Sequence, residues 1–391
     1  MGSGASGMDR AGWATVILVA VVTAIAAWST IETGPTTAPT APRTFGASDI
    51  SGALSTVFHP GVILGAASNE TDTLLAGIGV YVVSPEFSLP VLGDLRPGPD
   101  GPTVRNLTPL VNPYFFEGGT YALGWNGSQW LVAGQATWGG INYGTLVSLQ
   151  GGTLTNLTSL ILPYFAGGGI FAIGWNGTAW LIGGNSSSSI TLVALEGDHV
   201  TNLTKLVPDR DPLGWVQLIA WNGAEWLLGG EKVFGTLKGN TYHDLIPASP
   251  FGDSGVYAGG WNGTAWVAGG GAGDVVVVRG DEVLPGPVLP ASFDQSALLI
   301  TSYSAGWLIG GKGTASGGGF APGLVSWDGT PGAAGVTDLS SVVPDSFHGG
   351  EIQGGGWVPA FGPAELALVG EGSYDNDSGY GLGAIALLTV P

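Results

Sequence analysis

Gly124-Trp125-Asn126-Gly127-Ser128-Gln129-Trp130-Leu131-Val132-Ala133-Gly134 decides the fold, because the chain repeats it. It recurs as Gly174-Trp175-Asn176-Gly177 through Trp180-Leu181-Ile182-Gly183-Gly184. It returns as Trp221-Asn222-Gly223 with Trp226-Leu227-Leu228-Gly229-Gly230, and as Trp261-Asn262-Gly263 with Trp266-Val267-Ala268-Gly269-Gly270. Weaker copies are Trp307-Leu308-Ile309-Gly310-Gly311, Trp357 followed by Ala367-Leu368-Val369-Gly370, and, first in the chain, Thr73-Leu74-Leu75-Ala76-Gly77. These copies lie roughly 40–60 residues apart, and at that period a strand-rich unit is one blade of a ring-shaped repeat fold.

Each unit holds four strands. In the third copy Ile170–Trp175 and Trp180–Gly184 flank Asn176-Gly177, a dipeptide suited to a tight type I′ turn. Trp175 and Trp180 fall on one face of that hairpin and are expected to pack between blades. Ile190–Leu195 supplies a third strand and Val200 starts a fourth. The fourth carries its own signature: Asn106-Leu107-Thr108, Asn156-Leu157-Thr158, Asn202-Leu203-Thr204 and Asp338-Leu339-Ser340, with proline and often phenylalanine after it. Asp49-Ile50-Ser51-Gly52-Ala53-Leu54 with Val57-Phe58 resembles this signature yet precedes the first full repeat. The last repeat stops after its third strand, Ala384–Val390. The N-terminal segment is therefore expected to complete the last blade and close the ring, which removes an exposed sheet edge. The fold class is all-β, a seven-bladed β-propeller with four-stranded antiparallel blades, spanning 49–391.

The composition agrees. The 391 residues include 71 glycines and 15 tryptophans, with 44% apolar residues and only 10% charged. Apolar content at that level argues against disorder. The net charge of −19 repels phosphate backbones, so nucleic acid is excluded as a partner. With no cysteine, disulfides and Cys-ligated zinc are excluded as well.

Residues 1–11 read as a short cytoplasmic N-terminus. Between Arg10 and Glu32 no residue carries a formal charge, and 12–31 is long enough to span a bilayer core. Arg10 precedes the span, so the remainder is expected to face outward. The length favours an uncleaved anchor; the alternative is a signal peptide cleaved near Ala24-Ile25-Ala26, giving a secreted chain. Residues 32–48 form a Pro/Thr-rich stalk. The expected location is the cell membrane, single-pass, with the propeller extracytoplasmic.

A hydrophobic strand ending in Gly-Gly, a third strand, then a Leu-x-x-Leu-Val-Pro segment such as Leu203 to Pro208 resembles kelch repeats, as found in galactose oxidase-like propellers. The resemblance covers nearly all of 49–391 and implies four-stranded blades that serve mostly as binding platforms. The oxidase chemistry of that relative needs a Cys-modified tyrosine, so it is not carried over.

Chemistry-bearing residues are sparse. His59 and His348 hold equivalent positions after Phe58 and Phe347 and are the one histidine pair suited to metal or acid–base work. Tyr374-Asp375-Asn376-Asp377-Ser378-Gly379-Tyr380 gathers oxygens, with Asp375 and Asp377, that would suit Ca²⁺; no other cofactor is implied. Glu117, Asp253, Asp294, Asp345 and Glu351 sit in equivalent loops, where two converging carboxyls could cleave a glycosidic bond. Asn69, Asn106, Asn126, Asn156, Asn176, Asn185, Asn202, Asn262 and Asn376 fit the N-glycosylation pattern, although Asn-Gly also serves the turn itself. Loops after the second strand vary most, and variable loops on a rigid ring are where binding usually resides. Trp138, Tyr143, Phe234, Phe320 and Tyr374 are the candidate contacts. The favoured reading is a surface-displayed recognition or scaffold module that binds a protein or glycan. The alternative is an extracytoplasmic carbohydrate-active enzyme using loop acids.

Overall fold

The computed structural model describes residues 44–391 apart from 55–57, 59–60, 82–83, 188, 209, 211–213, 253, 291–292, 316–317 and 376–379. The proposed anchor and most of the stalk lie outside these residues. Among the described residues no helix is long and apolar enough to cross a membrane.

Seven four-stranded antiparallel sheets are present. Blades 1 to 6 are each continuous in sequence. Their first strands begin at Gly61, Gly119, Ile170, Trp215, Val256 and Ser296. First strands of neighbouring blades touch all the way round, the last against the first, so they form the inner wall of a closed ring. Blade 7 takes Glu351–Trp357, Glu365–Asp375 and Tyr380–Thr389 from the C-terminus and its outer strand, Gly46–Asp49, from the N-terminus. Gly46 lies opposite Thr389 and Asp49 opposite Ala386. Closure across the two ends of the ring thus occurs as expected, but the closing strand ends at Asp49, the first residue of the segment expected to supply it. Ser51–Leu54 is instead a helical turn.

That shift has a general cause. The Asn-Leu-Thr signature begins on the last residue of the outer strand and then leaves the sheet. Asn106 Oδ1 accepts the Thr108 backbone N–H, and Thr108 Oγ1 accepts the Leu92 N–H of the third strand. The same pair of bonds recurs at Asn156/Thr158, Asn202/Thr204 and Asp338/Ser340. The turn drops an apolar side chain between blades at every junction: Phe58, Phe115, Phe165, Val207, Phe251, Phe293 and Phe347 are all buried. Burying one such phenylalanine contributes roughly 2–3 kcal/mol.

The other repeated residues also have physical reasons. Trp175 pairs in register with Trp180, their rings 5.0 Å apart, and the pairs at Trp125/Trp130, Trp221/Trp226 and Trp261/Trp266 match it. Trp180 reaches the inner strand of the preceding blade, where a Cβ on Gly124 would stand 2.5 Å from its ring; Trp226 meets Gly174 likewise. Packing between blades is therefore the role of the second tryptophan, and the glycine before the first is its landing site. The Asn-Gly turn is a four-residue loop rather than a two-residue type I′ turn. Only Gly177 has positive φ, while Asn176 Oδ1 accepts the N–H groups of Thr178 and Ala179.

The inner strand of every blade carries a β-bulge, with the extra residue at Leu64, Tyr121, Phe171, Gln217, Tyr257, Leu298 and Gln353. The glycine that closes the repeat lies against it. A Cβ at Gly77, Gly134, Gly184, Gly230, Gly270, Gly311 or Gly370 would stand 1.9–2.1 Å from an inner-strand carbonyl oxygen. No side chain fits there, which is why this glycine is present in all seven blades.

Candidate functional site

The two rims differ. The rim of the Trp-Asn-Gly turns is uniform, whereas the opposite one, here the loop rim, is uneven. Past the repeat glycine, second strands run from Gly77 to Tyr81, Gly134 to Trp138, Gly311 to Thr314 and Gly370 to Asp375 in blades 1, 2, 6 and 7. In blades 3 and 4 they stop one residue on, at Asn185 and Glu231, and in blade 5 at Gly270 itself. At about 3.3 Å per residue the extensions build a wall roughly 10–16 Å high over four adjoining blades. Blades 3 to 5 form the low side.

Trp138 crowns the wall on blade 2. It pairs with Ile141 across Gly139-Gly140, both at positive φ as a two-residue hairpin turn requires. The Trp138 ring is 62% exposed and tilts against Phe116 at 5.5 Å; Phe116 and Ile141 are also exposed. Trp138 and Ile141 at the hairpin tip, with Phe116 from the segment before the inner strand against them, form an unusual surface feature. Tyr143 is half-buried lower on the same hairpin. Phe320 lies under Lys312, whose Nζ is 4.6 Å from its ring centre. Phe234 is wholly buried, edge-on to Phe251 at 5.2 Å, so its reading as a contact residue is corrected: the blade 4 hairpin turns at Lys232 and leaves Phe234 inside. Tyr374 and Asp375 lie near the tip of the blade 7 hairpin, with Cα atoms opposite Gly381 and Tyr380, and Asp377 and Asn376 fall outside the described residues. Among the described residues no three potential metal ligands cluster.

Among the described loop acids, Glu117 precedes blade 2 and Asp294 precedes blade 6, while Asp345 and Glu351 share the junction of blades 6 and 7. Asp294 caps Thr314 through its backbone N–H, Asp345 is exposed beside His348, and Glu351 is buried within a strand. His59 and Asp253 lie outside the described residues. The Asn-x-Ser/Thr motifs have a structural use. Ser128 and Thr264 hydroxyls donate to the Oδ1 of Asn126 and Asn262 at 2.9 Å, and Asn69 accepts the Thr71 and Asp72 N–H groups. At the outer-strand exit aspartate replaces asparagine in Asp49, Asp244 and Asp338, so an acceptor is what that position requires.

Two inner layers at the loop rim were not legible beforehand. The bulge residues form the first, with Tyr121 stacked on Phe171 at 5.4 Å and Phe171 at 6.4 Å from Trp215. Room for two of these rings comes from Gly119-Thr120-Tyr121 and Gly255-Val256-Tyr257, where a Cβ on the glycine would meet the ring. The second layer, one residue past the repeat glycine, holds Gln135, Asn185, Glu231, Lys312 and Glu371. Lys312 Nζ lies 2.8 Å from Glu351, which is wholly buried and also accepts from Gln353; Glu371 lies opposite Glu351 in register. Burial pushes the Glu351 carboxyl up, with Lys312 opposing the rise. A cleft of about 550 Å³ lies further out on the low side, along Pro285–Pro290 with Asp274 and Phe293.

Solved structures confirm the architecture. A chain of a mitotic checkpoint complex aligns over 93% of this chain and 99% of its own at 12% identity, with a TM-score of 0.56. YCF48 bound to a D1 peptide aligns over 90% and 99% at 13% identity, TM-score 0.50. Acylaminoacyl peptidase from Pyrococcus horikoshii aligns over 85% of this chain at 10% identity, TM-score 0.50, and this chain spans 52% of its length. Such likeness defines a fold class, the β-propeller, and nothing narrower. No known family and no curated protein matches the sequence.

Proposed function

We propose that the chain is a surface-displayed recognition module whose loop rim binds a protein or glycan partner. The observation that carries this reading is the one-sided rim: a wall over blades 6, 7, 1 and 2, tipped by Phe116, Trp138 and Ile141, beside a low sector over blades 3 to 5. Rigid sheets hold the tip residues in place, so little conformational entropy is lost on binding.

The path of the chain supports the same orientation. Gly46 lies opposite Thr389, at the end of blade 7 where the inner strand finishes at Trp357, and so on the Trp-Asn-Gly rim. A chain tethered through 12–31 by a Pro/Thr stalk reaches the ring from that rim, and the loop rim faces away from the membrane. N-linked sugar on Asn126, Asn176 or Asn262 would sit on the membrane-side rim and leave the loop rim bare.

The test is pull-down and glycan-array binding by the full chain, with Trp138→Ala and Phe116→Ala beside a control, Asn222→Ala, on the opposite rim. Loss of signal in the first two alone is expected. Signal unchanged by both removes the wall from the binding site.

A further inference from the structure

The inner end of the loop rim combines aromatic faces with carboxylates. Phe171, Trp215 and Tyr257 come from the inner strands of blades 3, 4 and 5, the low side, and all three are half-buried. Glu231 lies directly opposite Trp215 on the neighbouring strand, and side chains so placed share one face of the sheet. Burial pushes the Tyr257 phenol up, a hydrogen bond to Gly255 opposes this, and the Glu231 charge adds to the rise. The carboxylate therefore acts on that ring as well. On blade 7, the wholly buried Gln353 presents an Oε1 that accepts no hydrogen bond among the described residues.

Ring faces carry negative potential and attract ammonium or guanidinium groups, most strongly where a carboxylate adds its charge and water is partly excluded. We propose that the inner end of the loop rim binds an organic cation, against the rings of Phe171, Trp215 and Tyr257 with Glu231 as counter-charge. This rests on the loop rim being the binding face and names the chemistry it selects. The cation is a free ammonium compound or the side chain of an arginine or lysine on a partner. A chain with net charge −19 also draws such a ligand in.

The experiment is calorimetric titration of the full chain with choline and with its uncharged isostere 3,3-dimethylbutan-1-ol. A second arm uses capped Gly-Arg-Gly against capped Gly-Gln-Gly. Expected is binding of one or both cationic probes, about tenfold or more above the neutral partner, with Glu231→Gln and Trp215→Leu each weakening it about tenfold. Trp215→Phe keeps a ring face and retains binding, and Asp281→Asn, exposed on the opposite rim, has no effect. Choline alone indicates a free ligand; the arginine peptide alone indicates a partner's side chain. The proposal is overturned if neither cation binds, if charged and neutral probes bind alike, or if Glu231→Gln binds as the parent does. Thermal melting of Glu231→Gln at the parent temperature separates loss of binding from loss of fold. None of these probes depends on Trp138, so the wall and the inner end of the rim fail or stand separately.

Discussion

Replacing Lys312 by methionine tests the buried charge cluster of blades 6 and 7. Lys312 is 14% exposed and its partner Glu351 is wholly buried, with Gln353 and Glu371 beside it. Removing the ammonium leaves an uncompensated carboxylate in a low-dielectric site, which costs about 3–5 kcal/mol. Unfolding entropy is roughly 2.1 cal/mol/K per residue, so over a ring of about 345 residues this lowers the melting temperature by about 4–7 °C at neutral pH. The pH dependence has a definite sign. Burial already holds the Glu351 carboxyl above its unfolded value, and losing Lys312 raises it further. A raised acid favours the folded state fully below its unfolded pKa, and that contribution disappears as pH rises through the folded pKa. The deficit of Lys312→Met is therefore greatest at neutral pH and shrinks on acidification as Glu351 takes up a proton. Glu351→Gln in the same chain should restore most of the loss, because the carboxylate that Lys312 compensated is then gone. Scanning calorimetry at several pH values measures all of this. A Lys312→Met chain that melts with the parent at neutral pH, or whose deficit does not change with pH, would refute the reasoning.

Other consequences are open to measurement. Asn156→Asp should melt within about 1 °C of the parent because Asp338 does the same work elsewhere, while Asn156→Ala should lose about 1 kcal/mol by chemical denaturation. Gly134→Ala puts a methyl group 2.0 Å from the Gly119 carbonyl oxygen and should cost more than about 2 kcal/mol, whereas alanine at the exposed Gly152 turn strains φ alone and costs less. Ser48→Cys with Leu387→Cys, paired in register in a chain without cysteine, should form one disulfide that ties the two ends of the ring. Oxidation is expected to add up to about 5 kcal/mol, and equal melting of the oxidised and reduced forms would show that the closing strand contributes little.

What the sequence determined by itself is the part of the fold that repeats. Spacing of the Trp-Asn-Gly and Gly-Gly motifs sets the number of blades, and the missing fourth strand at one end set against a surplus at the other gives the closure. Trp-Asn-Gly recurs in four blades and the closing glycine in all seven, so the repetition itself separates them from chance. The aromatic tip was also partly legible, since Trp138 lies in one of the variable loops after the second strand. Tertiary structure alone decided the rest. Phe234 and Trp138 both follow a repeat glycine by four residues, yet one is buried and the other crowns a wall, because the blade 4 hairpin turns at Lys232 and the blade 2 hairpin at Gly139-Gly140. The bulges that bring Tyr121, Phe171 and Tyr257 to the inner edge leave only a Gly-x-aromatic trace in two or three blades. Glu231 meets Trp215 only when two consecutive strands of blade 4 pair in register, and Lys312 meets Glu351 only across the junction of blades 6 and 7. Strand register and blade order bring these charges and rings together, and neither is carried by any short stretch of sequence.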